Sequence, residues 1–191
     1  MVGLILSADQ YISQYFKDNG DIIILLGENK EELGGSEYLK VTHDIEKGNP
    51  PEINLNLEIS IHRTLLDANK MGLIKSAHDC SEGGLAAALS ECCISNKEKK
   101  IGAVIDLNEK MRIDALLFGE TQSRIIITAS PAKIDSLKNV LEGYKIPYTL
   151  IGKVGGERLI INNNSSKLID ISIDNLNNAW HDSIKNMMNK T

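Results

Sequence analysis

Between Leu73 and Cys92 the sequence sets down a strand-like lead-in, a polar turn and an apolar helical pattern in immediate succession. The lead-in is Leu73, Ile74 and Ala77, the turn is His78-Asp79-Cys80-Ser81-Glu82-Gly83-Gly84, and the helical pattern is Leu85, Ala88, Leu89 and Cys92. Strand, short turn and helix in that order are the building unit of α/β folds. Glycines admit close backbone approach, and the first N–H groups of a helix have no internal partners, so the turn has the layout of an anion site. A phosphate fits there. So does a plainer account, in which Ser81 or Asp79 caps the helix and the glycines let it pack on the strand. A glycine pair before a helix does not by itself separate the two.

Short runs rich in Ile, Leu and Val predict strands at Val2 to Leu6, Ile22 to Leu26, Leu73 to Ala77, Ile101 to Leu107, Arg124 to Thr128, Tyr148 to Val154, Arg158 to Ile161 and Leu168 to Ile171. Helices are expected at Leu85 to Ile94, at Pro131 to Leu141 and at Asp174 to Met188, the last with Asp174 as N-cap. Its stripe of Leu176, Ala179, Trp180, Ile184, Met187 and Met188 reads as core. The stretch from Ile53 to Ile61 alternates as a strand would, yet helical spacing runs on through His62, Leu65, Leu66 and Asn69 to Gly72, a C-cap position. The spacing therefore predicts a helix from about Leu57 to Met71. Asn162 to Ser166 reads as a turn between two strands. Strands interleaved with helices give an α/β (α+β) sandwich, a mixed sheet with helices packed on it, formed by residues 1–191 as one domain.

Composition narrows the function classes. The 191 residues are 42% hydrophobic, enough for a core, and the formal charge of −5 gives no electrostatic reason to expect nucleic acid or an anionic membrane as partner. Three cysteines, with no CxxC spacing, offer neither a disulfide framework nor a zinc site, and a reducing cytoplasm is the simplest setting. No apolar run approaches the ~20 residues of a membrane span. Cys80 beside His78 does not make a nucleophile, because sequence neighbours point in different directions. His43, His62 and His181 lack the paired spacing of a helical metal site. Neither a catalytic nor a metal-binding set is assigned.

Two further segments place polar groups at element ends. Gly34-Gly35-Ser36-Glu37-Tyr38-Leu39 puts a glycine pair before a helix start, with Ser36 as a plausible N-cap and Glu37 in the first turn. Leu116 to Ser123, containing Glu120, Thr121 and Gln122, leads into the strand that Arg124 opens. Such polar groups suit a ligand, and they equally suit an exposed turn with Arg124 in a weak surface ion pair.

These three segments, in this order, together with Ile151-Gly152-Lys153-Val154-Gly155-Gly156 and the terminal helix, resemble the C-terminal domain of the second half of phosphoribosylformylglycinamidine synthase, synthetase subunit. That domain is of the aminoimidazole ribonucleotide synthetase type, an α/β sandwich. The resemblance covers nearly the whole chain and implies a domain of a longer enzyme that uses ATP and Mg2+ to convert formylglycinamide ribonucleotide and ammonia to formylglycinamidine ribonucleotide. The ammonia comes from glutamine through a glutaminase subunit, with a small accessory subunit completing the complex. It also implies that the catalytic histidines lie in the missing ATP-binding domains, and that the chain alone is catalytically incomplete.

Carried over residue by residue, Glu120-Thr121-Gln122 looks like the family's Glu-Ser-Gln turn, with Thr121 keeping a hydroxyl. The expected phosphate, nucleotide or substrate contacts are then His78, Asp79, Ser81, Glu82, Gly83, Gly84, Gly34, Gly35, Ser36, Glu120, Thr121 and Gln122. A structural and docking domain is the alternative, as is a related ATP-using synthetase or kinase. An isolated domain of this kind is expected to expose an apolar patch and to self-associate through it.

Overall fold

The computed structural model describes residue 7 and residues 10–188, the side chains of 184–186 excepted. The expected strand Val2 to Leu6 lies outside the described residues. The elements run β1 (Ile22–Leu26), α1 (Glu37–His43), α2 (Leu55–Lys70), β2 (Ser76–Asp79), α3 (Gly84–Ile94), β3 (Ala103–Leu107), α4 (Ile113–Phe118), β4 (Ile125–Ala129), a 3-10 turn at Pro131–Lys133, α5 (Ile134–Gly143), β5 (Tyr148–Val154), β6 (Arg158–Asn163), β7 (Ser166–Ser172), α6 (Ile173–His181) and α7 (Ser183–Met188). The strands form one seven-stranded sheet in the order β2-β4-β1-β5-β3-β6-β7. β3 and β6 run parallel and the other pairs antiparallel, which makes the sheet mixed as expected.

β1 explains why the sheet lies between two helical layers. Successive side chains of a strand point to opposite faces, and here both faces are apolar. Ile23 and Leu25 join a core with Leu85 and Leu89 of α3, Leu116 of α4, Ile105 and Ile161. Ile24 and Leu26 join a second core with Ile61 and Ala68 of α2 and Leu137 and Leu141 of α5. A strand buried on both faces needs an unbroken apolar run, and Ile22-Ile23-Ile24-Leu25-Leu26 supplies one. β3 has only one covered face, so it alternates: Ala103, Ile105 and Leu107 are buried while Val104 and Asp106 are exposed.

Several boundaries differ from the sequence expectation for local reasons. α2 begins at Leu55 rather than Leu57, because the Asn54 side chain accepts from the N–H groups of Asn56 and Leu57. Its end is a Schellman turn in which Gly72, at φ 62°, donates to the Asn69 carbonyl and Leu73 to that of Ala68. That turn consumes Leu73, so β2 starts at Ser76 and carries His78 and Asp79 as its last residues. The Pro131 helix opens as a 3-10 turn.

The N-cap of α6 is Ser172, whose Oγ accepts from Asn175 N, and not Asp174. Most of the terminal stripe is not core, and the side chain of Ile184 lies outside those described. Leu176 packs on the first core, but Trp180 is 56% exposed, and Ala179, Met187 and Met188 are exposed too. The helix breaks at Asp182, and a second short helix starts at Ser183. The Asn162 to Ser166 turn narrows to Asn164 and Ser165, both at positive φ, as a tight hairpin requires.

Candidate functional site

The three polar segments converge on one carboxylate. Glu120 lies between α4 and β4, and its Oε1 accepts the backbone N–H of Gly83 at 3.0 Å and that of Glu37 at 3.0 Å. Gly83 is the N-cap of α3 and Glu37 the first residue of α1, so a single oxygen closes two helix starts, where the helix dipoles favour negative charge. Neither Ser81 nor Asp79 caps α3: Ser81 Oγ donates to the Asp79 carboxylate, and Gly83 at φ 76° leaves its N–H to Glu120.

Most of the glycines and hydroxyls singled out in the sequence make contacts that hold the framework. A Cβ on Gly84 would stand 2.5 Å from the Gly119 carbonyl oxygen, so α3 starts in direct backbone contact with the end of α4. A Cβ on Gly34 would stand 2.0 Å from the Asn49 carbonyl oxygen, and Gly35, at φ 70°, donates to the Lys47 carbonyl. The second glycine pair therefore clamps the 47–49 loop. Ser36 is buried, caps α1 through Leu39 N and donates to the Leu33 carbonyl. Thr121 is buried too and donates to the Lys30 carbonyl at 3.4 Å.

Asp79, Ser81, Glu82, Glu120 and Gln122 line a cleft of about 420 Å³, joined there by Glu58 and His62 of α2, Ser123 and Arg124. His62 Nε2 lies 2.9 Å from Glu58 Oε1, and Ser123 Oγ donates to the same carboxylate. Ser123 has φ 59°, an uncommon conformation for a residue with a side chain. Asp79 also borders a neighbouring cleft of about 630 Å³ that holds His78, Tyr11 and Tyr15, where the His78 ring N–H donates to Glu91 at 2.5 Å. The bond from Ser81 holds Asp79 below the ordinary carboxylate pKa. Four carboxylates around the first cleft attract cations and repel a bare phosphate. Among the described residues no group of three metal-ligating side chains could hold a metal ion unaided.

Arg124 is the site residue that the sequence hides most completely. It is 2% exposed and makes no surface ion pair: Nε donates to the Thr121 carbonyl at 3.1 Å, one Nη to Asn29 Oδ1 at 2.9 Å and the other to the Gly119 carbonyl at 2.5 Å. Burial lowers its pKa, and the charges of Glu32 and Glu120 oppose that shift. The guanidinium fork thus knots the whole turn from Gly119 to Thr121, from which Glu120 projects.

The cysteines take no part in this chemistry. Burial pushes the Cys80 thiol up to about 11 and that of Cys93 to about 12, and it raises that of Cys92 as well. A raised thiol pKa stabilises the fold fully below the unfolded value of 9.0 and loses that contribution as pH climbs through the folded value. The native protein is expected to leave all three thiols unmodified by a disulfide-exchange reagent at about pH 8, and to lose stability above about pH 9. Rapid native labelling of one thiol would refute the burial argument.

Comparison with known proteins supplies the family. The family model described as AIR synthase related protein, C-terminal domain, matches residues 18–162. The phosphoribosylformylglycinamidine synthase subunit PurL of Caldanaerobacter subterraneus subsp. tengcongensis is 42% identical over 185 residues, covering 97% of this chain and 25% of that protein. Its counterpart in Moorella thermoacetica is 35% identical over 188 residues, covering 98% and 25%. The chain thus spans about a quarter of the length of these curated relatives.

Among solved structures, T. maritima PurL complexed with FGAR superimposes with a TM-score of 0.77 at 17% identity, over 89% of this chain and 30% of that one. The hydrogenase maturation protein HypE in complex with ATP does so with a TM-score of 0.56 at 16% identity, over 87% and 54%. These two likenesses concern the fold. With most of its length matched by the family model, the chain belongs to the family of AIR synthase related proteins, as a C-terminal domain of that type.

Proposed function

We propose that this chain is one module of a PurL-type phosphoribosylformylglycinamidine synthase and contributes the acidic wall of a nucleotide or substrate cleft that other domains complete. The observation that carries the reading is the Glu120 carboxylate, which draws all three segments shared with the family into one corner of the fold. The acidic lining, which includes Asp79, Glu82 and Glu120, suits the water shell of a magnesium ion whose direct ligands would come from the nucleotide and the other domains. In the intact enzyme ATP would activate formylglycinamide ribonucleotide, and a glutaminase subunit would supply ammonia, in the cytoplasm. This chain's own part is to hold carboxylates at fixed positions.

A second reading, a purely structural and docking module, is favoured by one fact: the Gly83 N–H that a phosphate would use is already bonded to Glu120. Glu120→Gln separates the two. The amide keeps an oxygen for both N–H donors, so the fold should lose only about 1 kcal/mol. ADP with Mg2+ is expected to raise the melting temperature of the wild-type chain, and the shift should vanish in the variant. An equal shift in both proteins would remove Glu120 from the site. No shift in the wild type, whether alone or assembled with the remaining domains, would leave the structural reading standing. Gly83→Val cannot make this distinction, because a side chain at φ 76° is strained with or without a ligand.

A further inference from the structure

α2 is apolar on two faces, and only one of them is covered. Leu57, Ile61, Leu65 and Ala68 point into the second core. Leu55, Ile59 and Leu66 recur at intervals of four and seven residues on the opposite side, where they are 65%, 48% and 60% exposed. An apolar stripe facing water on a helix that already has a buried face marks a contact surface. The stripe runs beside the acidic cleft, because Glu58 and His62 of the same helix line that cleft.

Its edges carry opposite charge. Glu58 stands on the cleft side with His62 beside it, whereas Arg63 and Lys70 project from the other side by helical spacing, where Asp67, 4.0 Å from Lys70, offsets one of the two positive charges. In an antiparallel two-fold pairing of α2 with a second copy, like edges would meet, acid against acid. The fitting partner is a surface with apolar side chains between a basic edge, set toward the cleft, and an acidic one.

We propose that this stripe is where the rest of a PurL-type chain docks, and that the docked polypeptide forms the open wall of the cleft with its basic edge over Glu58. The inference rests on the module reading above. Support for the occupant comes from the charge pattern and from length, since the relatives are about four times as long as the part matched here.

The test mixes this chain with the Caldanaerobacter synthase truncated to remove the matching quarter, after a cooperative thermal melt has shown the truncated protein to be folded. Sedimentation reads complex formation, and an assay reads formylglycinamidine ribonucleotide formed by the mixture. The wild-type chain is expected to form an equimolar complex that Ile59→Glu with Leu66→Glu weakens by about thirtyfold or more, while the double variant alone melts as the wild type does. Binding of the double variant within about threefold of wild type overturns the docking surface. So does absence of any complex, or a wild-type self-dimer that the double variant disperses. Product formed equally with both chains sinks the docking inference and leaves the module reading intact. A complex that the double variant disrupts but that never makes product does the reverse.

Discussion

Gly84→Ala is expected to lower the melting temperature by about 10 °C, which for a chain of this size corresponds to roughly 3 kcal/mol. Two costs add. At φ 64° an alanine sits in the left-handed region, at about 1 kcal/mol or more. The added Cβ would also lie 2.5 Å from the Gly119 oxygen, 2.8 Å from the Phe118 carbonyl carbon and 3.0 Å from the Leu117 oxygen, all backbone atoms that cannot rotate aside. α3 would have to lift off α4 and loosen the contact between Leu85 and Leu116 in the first core. Gly35→Ala is the control, because φ is 70° there but no atom lies within 4 Å, so only the conformational cost remains. Thermal melts of the two variants that agree within error would show that close packing at Gly84 contributes nothing.

Arg124→Met is expected to cost about 3–5 kcal/mol in urea denaturation, the range for breaking a buried charged network. Methionine fills part of the volume but leaves the Gly119 and Thr121 carbonyls and Asn29 Oδ1 without their donor. Arg124→Lys should recover only part of the loss, since one ammonium cannot reach three acceptors held in a fork. The Gly119 carbonyl is both the acceptor for Arg124 and the nearest atom to Gly84, so the two substitutions should combine less than additively. A loss below about 1 kcal/mol for Arg124→Met would mean that water replaces the guanidinium without penalty.

The legible parts of this fold are those where one short segment decides its own structure. β1 and β5 are runs that local composition settles, and both occur where the pattern puts them. α2 was harder because Leu55, Leu57, Ile59 and Ile61 alternate in sequence while serving two helix faces, Leu57 and Ile61 inward, Leu55 and Ile59 outward. An apolar pattern on both faces imitates the two-residue period of a strand. α4 has only six residues, too few for a helical period to stand out.

At the site, the sequence picks out Glu120 and the glycines but not what joins them. Glu120 meets Glu37 and Gly83 across long stretches of chain, and Arg124 satisfies itself on carbonyls that have no side-chain signature. Charged residues are read as exposed by default, and the exception depends on partners that only folding brings near.

The place of β1 in the sheet also governs how the chain must be assembled. It is the first described strand along the chain, yet its neighbours are β4 and β5, so Ile22 pairs with Ala129 on one side and Lys153 on the other. A ribosome would therefore release Ile22-Ile23-Ile24-Leu25-Leu26 long before either partner exists. Such long-range pairing makes folding slow, and an uncharged, wholly aliphatic run left open for that time is a template for intermolecular strands. The segment that anchors both cores in the finished molecule is thus the one most in need of shielding while the molecule is being made.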